Sequence, residues 1–312
     1  MSRRERWLLP LDTTVFAVNG FFAVCSLLFV GRVHVTLFGF AVDRQLLVGL
    51  SFVIVTAILF WLLPRMHRSD RRAIWFVRLF YPQLLYTLYF TECIRLSQFV
   101  YGGASFDAVF AQIEHFVFVM QPALHFAASL GQPAALNELF FFGYFFYYVL
   151  ITSGFWILFL RGNTQRAARA VFLVTTAFAV LYVWYVFFPV HGPKYFIDVL
   201  HARYYGEFEG FVFTPLMKRI LQNTNLAGAA FPSSHVAIAI VALLINRRYC
   251  RDIAWLFAPF TLLLMLSTVY IYAHYAVDVI AGVVVGFLLF VMVRQLYTLF
   301  VRLTGSVGAE IS

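Results

Sequence analysis

Residues 231–240 read FPSSHVAIAI and place two serines and a histidine at the entrance of a long apolar run. Proline favours the first turn of a helix, where its missing N–H is not needed. The amides of Ser233, Ser234 and His235 would then lie at a helix N-terminus without partners inside the helix. Such an N-terminus attracts anions, phosphate above all, although a plain cap made by the serine side chains is the simpler alternative.

The chain around this stretch has the composition of a membrane protein. Its 312 residues are 62% hydrophobic and 12% charged, and the mean hydropathy is +0.84. A soluble domain carries about 25% charged residues, so we predict an all-α, polytopic membrane helix bundle. Eight apolar runs are close to the length of a membrane span, and we predict eight transmembrane helices from them. The runs cover residues 13–31, 45–63, 74–94, 138–160, 169–189, 233–247, 253–272 and 276–300.

The arginines predict how the bundle is oriented. If eight spans alternate, most of the 23 lysines and arginines fall in short loops on the side of the N-terminus. The positive-inside rule assigns that side to the cytoplasm, so both termini are predicted to be cytoplasmic. The net charge of +9 follows from the same asymmetry. Basic loops that face anionic membrane lipids explain it, and no nucleic-acid partner is expected.

No linker or repeat divides the chain, and we predict a single integral membrane domain over residues 1–312. Within it we distinguish three spans (1–96), an outer segment (97–137) and a catalytic core (138–303). In the outer segment, the apolar positions of FDAVFAQIEHFVF recur at helical spacing. Asp107, Gln112, Glu114 and His115 lie on the other side, as expected for an amphipathic helix at the outer interface.

The predicted topology gathers ionisable residues on the outer side of the membrane. His235 lies at the mouth of the sixth span, His274 and Asp278 lie between spans seven and eight, and Lys194 follows the fifth span. Ionisable residues at membrane spans are costly and are usually functional. This clustering was not used to derive the topology, so it supports a functional site independently.

His274 and Asp278 are four residues apart, which on a helix places them on one face. A carboxylate there can fix the tautomer of the imidazole and leave its other nitrogen free to attack. A capping histidine beside an interfacial aspartate is the alternative. Together with His235, the pair contains the parts of a phosphoryl transfer without a metal, because imidazole serves as nucleophile and as acid near neutral pH. We expect no metal and no other cofactor.

Both motifs resemble those of the type 2 phosphatidic acid phosphatase superfamily. That family's Pro-Ser-x-x-His motif is similar to Pro232-Ser233-Ser234-His235, and its Ser-Arg-x5-His-x3-Asp motif is similar to the segment from Ser267 through His274 to Asp278. The resemblance extends over about residues 138–300. The outer segment also resembles the branch related to inositol phosphorylceramide synthases.

The resemblance implies a role for each matching residue. His274 would be the nucleophile that forms a phosphohistidine, and Asp278 would orient it. His235 would act as general acid and then as base. Ser233 and Ser234 would hold the phosphoryl oxygens.

The chain departs from the family motifs in its cations. Thr268 stands where the third motif has arginine, and the first motif, Lys-x6-Arg-Pro, is replaced by FPVHGPKYF. We expect Lys194 to substitute for the missing cation, although an interfacial lysine whose stem lies in the membrane is the alternative. Arg219 or Lys218 could add a second charge, and the sequence does not choose between them.

The leading hypothesis is a lipid phosphatase or phosphotransferase at the outer leaflet, acting on a phospholipid or lipid phosphate. Water as acceptor gives a phosphatase, and the hydroxyl of an alcohol acceptor gives a phosphotransferase. The arginine bias and the resemblance favour a bacterial inner membrane, with the site facing the periplasm or exterior. The alternative is a proton-coupled or metal transporter that uses the same histidines and aspartate, since His-x3-Asp also suits zinc. The clustering at one face and the lack of an inverted repeat argue against transport.

Overall fold

The computed structural model describes residues 7–37, 40–206, 208–223 and 227–304, and this part of the chain is almost entirely helical. A short antiparallel hairpin, β1 (His34–Leu37) and β2 (Phe40–Asp43), is a departure from the all-α prediction. The helices are α1 (Pro10–Leu28), α2 (Arg44–His67), α3 (Arg72–Leu84), α4 (Tyr86–Tyr101), α5 (Asp107–Phe118), α6 (Pro122–Ser129), α7 (Ala134–Phe145), α8 (Tyr147–Leu160), α9 (Thr164–Phe187), α10 (Pro193–Phe196), α11 (Asp198–Gly206), α12 (Phe213–Asn223), α13 (Ser234–Tyr249), α14 (Arg251–Tyr270) and α15 (Ala276–Thr304).

Each predicted span coincides with one helix or with two consecutive helices. Five helices in the described part of the chain are long and apolar enough to cross a membrane, and a sixth span results if α7 and α8, bent by 41°, count as one. These helices identify a membrane protein. The third predicted span is divided between α3 and α4. Helix α13 has 16 residues, about 24 Å at 1.5 Å per residue, which is shorter than a typical hydrocarbon core.

The count of eight spans and the cytoplasmic termini therefore stay predictions. The orientation rests in part on Arg3, Arg4 and Arg6, which lie outside the described residues. The other arginines on the predicted cytoplasmic side include those at the ends of α2 and α13.

Helix α9 forms the centre of the bundle and packs against α1, α3, α4, α8, α13 and α15. Polar side chains fix the N-terminal helices to it. The hydroxyls of Thr14 and Thr176 lie 2.9 Å apart, and the hydroxyls of Tyr86 and Thr175 lie 2.9 Å apart. Inside a membrane such groups find few other partners, so these bonds help to fix α1 and α4 against α9.

Two glycines of α15 bring its backbone into contact with α13. A Cβ added to Gly282 would lie 2.9 Å from the carbonyl oxygen of Ser233, and a Cβ on Gly286 would lie 2.8 Å from the carbonyl oxygen of Ala237. Small residues allow helices in membranes to approach this closely. The contact fixes α13 relative to α15, and these two helices carry three of the predicted site residues, Ser234, His235 and Asp278.

We expect Gly286→Ala to lower the free energy of unfolding by about 1–3 kcal/mol, because the added methyl group meets backbone atoms that cannot move aside. The matched control is Gly20→Ala in α1, where no atom lies within 4 Å of an added Cβ. That change should raise stability by about 0.5–1 kcal/mol, since glycine is unfavourable inside a helix. Denaturant unfolding of both variants in one detergent measures the difference, and equal effects would show that the glycine contact does not matter.

The outer segment forms the predicted amphipathic helix, α5, but its two carboxylates face the protein, while Gln112 and His115 are exposed. Asp107 and Glu114 are fully buried, whereas Ile113 and Val117 are exposed and Phe116 is 88% exposed. The apolar side of α5 thus faces outward, where the membrane interface would lie. The carboxylates face inward because loops at the candidate site provide them with backbone N–H donors.

Candidate active site

The structure brings the two predicted histidines into contact. His235 lies in the first turn of α13, and His274 lies in the segment 271–275 that joins α14 to α15. His235 Nδ1 is 3.2 Å from His274 Nε2. The helical spacing predicted His274 on the same helix as Asp278, but α15 begins at Ala276, so His274 precedes the helix.

The second nitrogen of His274 is held by two oxygens. Nδ1 lies 3.0 Å from the carbonyl oxygen of Ala230 and 3.5 Å from Asp278 Oδ2. A carbonyl oxygen can only accept a hydrogen bond, so we assign the proton to Nδ1. Asp278 is fully buried, and its Oδ2 also accepts the N–H of Tyr275 at 2.9 Å. His274 Nε2 is then unprotonated, with its lone pair directed towards His235. An unprotonated nitrogen is what a nucleophile requires.

Tyr144 completes the hydrogen-bond chain. Its hydroxyl lies 2.9 Å from His235 Nε2. Because His274 Nε2 accepts, His235 Nδ1 donates, and its Nε2 accepts from the Tyr144 hydroxyl. A proton is thereby assigned to the His235 nitrogen that faces His274. The ring of Tyr147 lies 4.5 Å from the same imidazole. Neither tyrosine was predicted, because nothing distinguishes them within the aromatic run FFFGYFFYYV of residues 140–149.

A cavity of about 80 Å³ borders both imidazoles, and Lys194 and His191 also line it. Lys194 is only 5% exposed. Its Nζ lies 4.5 Å and 4.2 Å from the ring centres of Tyr195 and Tyr204. No carboxylate in the described ranges pairs with it. Burial lowers the pKa of Lys194 to about 8. Below about pH 8 the lysine therefore carries a positive charge. A bound anion would neutralise this charge in the cavity.

Asp107 holds the loop that leads to Lys194. Its carboxylate accepts the backbone N–H of His191 at 2.7 Å and that of Gly192 at 2.8 Å. The hydroxyl of Tyr275 donates to the same carboxylate at 3.1 Å. One buried side chain of α5 thus connects the segment before Lys194 with the residue that follows His274.

Gly192 permits the close approach of this loop to the segment that carries His274. Its φ is +94°, and an added Cβ would lie 2.8 Å from the carbonyl oxygen of Ala273. The next contact is the N–H of Lys194, which donates to the carbonyl of Tyr272 at 3.0 Å. Both the backbone conformation and the lack of space require glycine at this position.

Glu114, further along α5, caps the N-terminus of α15. Its Oε1 accepts the N–H of Ala276 and, at 3.4 Å, the N–H of Val277. Burial raises the pKa of Glu114 to about 7. The sequence indicated the helix but not the direction of its carboxylates, which depends on loops distant in sequence.

The raised pKa of Glu114 predicts a pH dependence of stability. An ordinary glutamate titrates near 4.5, so between that pH and about 7 the folded protein binds more protons than the unfolded chain. Stability should therefore fall as the pH rises through this window. Glu114→Gln removes the titration, so the stability of the native protein relative to this variant should decrease from pH 5 to pH 8. Glu209→Gln, at an exposed carboxylate, is the control, and a native protein that follows the Glu114 variant at every pH would contradict the assignment.

The other predicted site residues do not face this cavity. Ser233 caps α13, since its Oγ accepts the N–H of Val236 at 3.4 Å and its own N–H donates to the carbonyl of Asp278 at 3.1 Å. The simpler alternative, a plain helix cap, describes this serine. Ser234 begins α13 and lines a neighbouring, larger cavity. Arg219 is exposed on α12 and is not part of the cavity wall.

Lys218, the other candidate for a second charge, donates from Nζ to the carbonyl of Phe208 at 3.2 Å. The structure thus brings together four of the predicted residues, His235, His274, Asp278 and Lys194. In the part of the chain that the structure describes, no three histidines, cysteines, aspartates or glutamates are placed to hold a metal ion.

Comparison with known proteins adds one match. A family model described as the PAP2 superfamily matches residues 109–292, which is well over half of the chain. The matched range includes most of α5, both imidazoles, Asp278 and Lys194. It begins after α1 to α4. No curated protein sequence and no solved structure matches the chain.

Proposed function

Because the chain belongs to the PAP2 superfamily, whose members are phosphatases and phosphotransferases, we propose that it acts on a phospholipid or lipid phosphate through a phosphohistidine intermediate. The observation that carries this proposal is the distance of 3.2 Å between His235 Nδ1 and His274 Nε2, beside a cavity that holds Lys194. Two imidazoles with opposite hydrogen-bonding roles at one point suit a phosphoryl group that is attacked on one side and leaves on the other.

In the first step, the lone pair of His274 Nε2 attacks phosphorus, and the bond between phosphorus and the lipid oxygen breaks. With the phosphate bound, His235 acts as the imidazolium, its Nε2–H turned to the Tyr144 oxygen. It donates the proton on Nδ1 to the leaving oxygen, the alcohol leaves, and a neutral imidazole remains. His274 becomes positively charged as the N–P bond forms, and Asp278 and the carbonyl of Ala230 stabilise the proton on its Nδ1.

In the second step, an oxygen nucleophile attacks the phosphohistidine. His235, now without the donated proton, accepts a proton from water or from an alcohol, and the N–P bond breaks. Water yields inorganic phosphate. An alcohol acceptor yields a new phosphate ester, the outcome that a resemblance to inositol phosphorylceramide synthases favours.

The phosphoryl group would lie between the imidazoles, on the side of the cavity that Lys194 lines. The two imidazole rings are hydrogen-bonded to each other in the structure, so they must separate to admit the phosphoryl group. Lys194 then supplies the positive charge that Thr268 does not, and the first-turn amides of α13 supply further donors. Serine hydroxyls contribute less than the family motif implies, because Ser233 caps its own helix.

We place the reaction at the outer leaflet of a bacterial inner membrane, with the site facing the periplasm or exterior. The arginine distribution supports this orientation, because the basic loops lie on the side opposite to His235 and His274. The exposed apolar side of α5 supports it too, since a helix of this kind lies at an interface.

Lys194→Met should weaken inhibition by vanadate, a phosphate analogue, about 10- to 100-fold, because a charged hydrogen bond is lost. In the native protein the same inhibition should weaken as the pH rises through about 8, where Lys194 loses its proton. The pKa of Lys194 in the folded protein lies below the ordinary lysine value of 10.5 because burial disfavours its charged form. Replacing this lysine by methionine should therefore also raise the thermal stability at pH 7. Lys218→Met is the control, and unchanged inhibition would exclude Lys194 from the site.

The experiment that tests the function uses purified protein in detergent with EDTA. A panel of lipid phosphates and phospholipids is supplied with and without candidate alcohol acceptors, and products are identified by mass. Release of phosphate or formation of a new ester supports the proposal and decides between hydrolysis and transfer. Detergent removes any sealed compartment and EDTA removes zinc, so turnover here would also exclude the transporter and metal-site alternatives. Absence of turnover across the panel would overturn the proposal.

A further inference from the structure

A second cavity lies directly beside the one that borders both imidazoles. Its volume is about 320 Å³, within the range of ordinary ligand sites and near its lower end. His235, Tyr144, Phe90 and Leu221 line both cavities. The two spaces therefore adjoin each other at the imidazole of His235, and a molecule with its phosphate in the first can extend into the second.

The walls of this second cavity are mainly aromatic and aliphatic. Helices α3 and α4 contribute Phe80 and Tyr86, α8 contributes Tyr147 and Ile151, and α9 contributes Phe178. None of these side chains carries a charge. Rings and methyl groups predominate and provide a surface for hydrocarbon, and the polar Gln83 and Ser234 in the same wall carry no charge.

The cavity runs along the helices, away from the histidines. Its wall follows α3 and α4 from Phe80 to Phe90 on one side, and α7 and α8 from Tyr144 to Thr152 on the other.

The cavity also opens to the outside of the bundle. Thr87 on α4 and Tyr148 on α8 line it, and both side chains are exposed. Leu84 and Leu88 next to this opening are exposed as well, at 67% and 38%. The gap between α4 and α8 therefore faces the apolar exterior and not the aqueous loops.

We propose that this second cavity binds the hydrocarbon chain of the lipid whose phosphate lies between His235 and His274. The proposal rests on the proposed function and adds to it the place where the hydrocarbon chain of the substrate lies and its route of entry, between α4 and α8. One wall comes from α3 and α4, which lie outside the residues 109–292 matched by the family model. The preference for particular hydrocarbon chains is thus set in part by helices outside the matched region.

The test reduces the cavity from each side. Thr152→Phe on α8 and Thr87→Phe on α4 add a ring inside the cavity. The matched controls, Val149→Phe and Val100→Phe, add a ring at exposed positions of the same helices that do not line it. Each protein is assayed with a long-chain lipid phosphate and with a short-chain, water-soluble ester that has the same linkage to phosphate.

We expect both cavity variants to lower kcat/KM for the long-chain ester at least tenfold, and to leave the short-chain ester within twofold of the native value. The controls should leave both values unchanged. Equal losses for the two esters, or no loss for the long chain, would overturn the chain-binding proposal. If the native protein turned over neither ester, the proposed function would fail instead, so the two failures are distinguishable.

A second measurement does not depend on the variants folding. A lipid phosphate with a photoactivatable group at the end of its chain is crosslinked to the native protein, and the labelled peptides are identified. Labelling of residues 80–90 and 147–152 supports the proposal. Labelling confined to other spans would overturn it.

Discussion

Substitution of His274 by glutamine is expected to lower kcat by roughly 10⁴-fold or more, the usual cost of removing a covalent nucleophile. Glutamine retains a side chain that can bond to the carbonyl of Ala230, but it has no nitrogen lone pair that can attack phosphorus. The phosphoenzyme should disappear together with turnover. Rapid mixing with a lipid phosphate labelled on phosphorus, followed by denaturation at alkaline pH to preserve phosphohistidine, measures both quantities.

His191→Gln is the matched control for this experiment. His191 lines the same cavity, and its link to Asp107 includes the backbone N–H, which the substitution retains. The control should retain turnover within about tenfold and should still accumulate labelled enzyme. A His274 variant that remained labelled would refute the assignment of the nucleophile.

Substitution of His235 by alanine should lower the rate by an amount that depends on the leaving group. With an alkyl phosphate the loss should be about 10²–10⁴-fold, because the departing oxygen needs a proton. With nitrophenyl phosphate the loss should be much smaller, because nitrophenolate leaves without one. Steady-state rates with both substrates, measured across pH, separate these cases.

Tyr144→Phe provides a graded comparison for His235. It keeps the imidazole and the aromatic ring beside it and removes only the hydroxyl that donates to Nε2. A loss of about tenfold is expected with the alkyl phosphate, the value of one hydrogen bond. Losses of the same size for both leaving groups in the His235 variant would show that it does not act as an acid.

The sequence predicted the helices well because apolar runs of membrane length seldom form anything except transmembrane helices. It could not predict that the run 74–94 is divided between α3 and α4, or that α7 and α8 are bent. Breaks of this kind depend on packing against other helices, and α3, α4 and α8 all pack on α9. The hairpin formed by β1 and β2 is too short to have a clear periodicity.

The site was predictable where a residue type by itself indicates chemistry. Histidines and an aspartate at membrane spans are rare, so His235, His274 and Asp278 were recognised, and the structure brings them together. Tyr144 was not recognised because tyrosine is common in this chain, which has 17 of them. Asp107 and Glu114 were assigned to the polar side of a surface helix, since only the folded chain shows the N–H groups that they bind.

The glycine contact between α13 and α15 restricts how the catalytic pocket can open. With backbone against backbone at Gly282 and Gly286, neither helix can slide or tilt past the other to admit a ligand. On the proposed mechanism, the room for phosphorus would come from the five residues that link α14 to α15, which carry one of the two rings. Separation of the rings would then be a local rearrangement of this short linker, limited at its far end by the hydrogen bonds to Asp107 and Glu114.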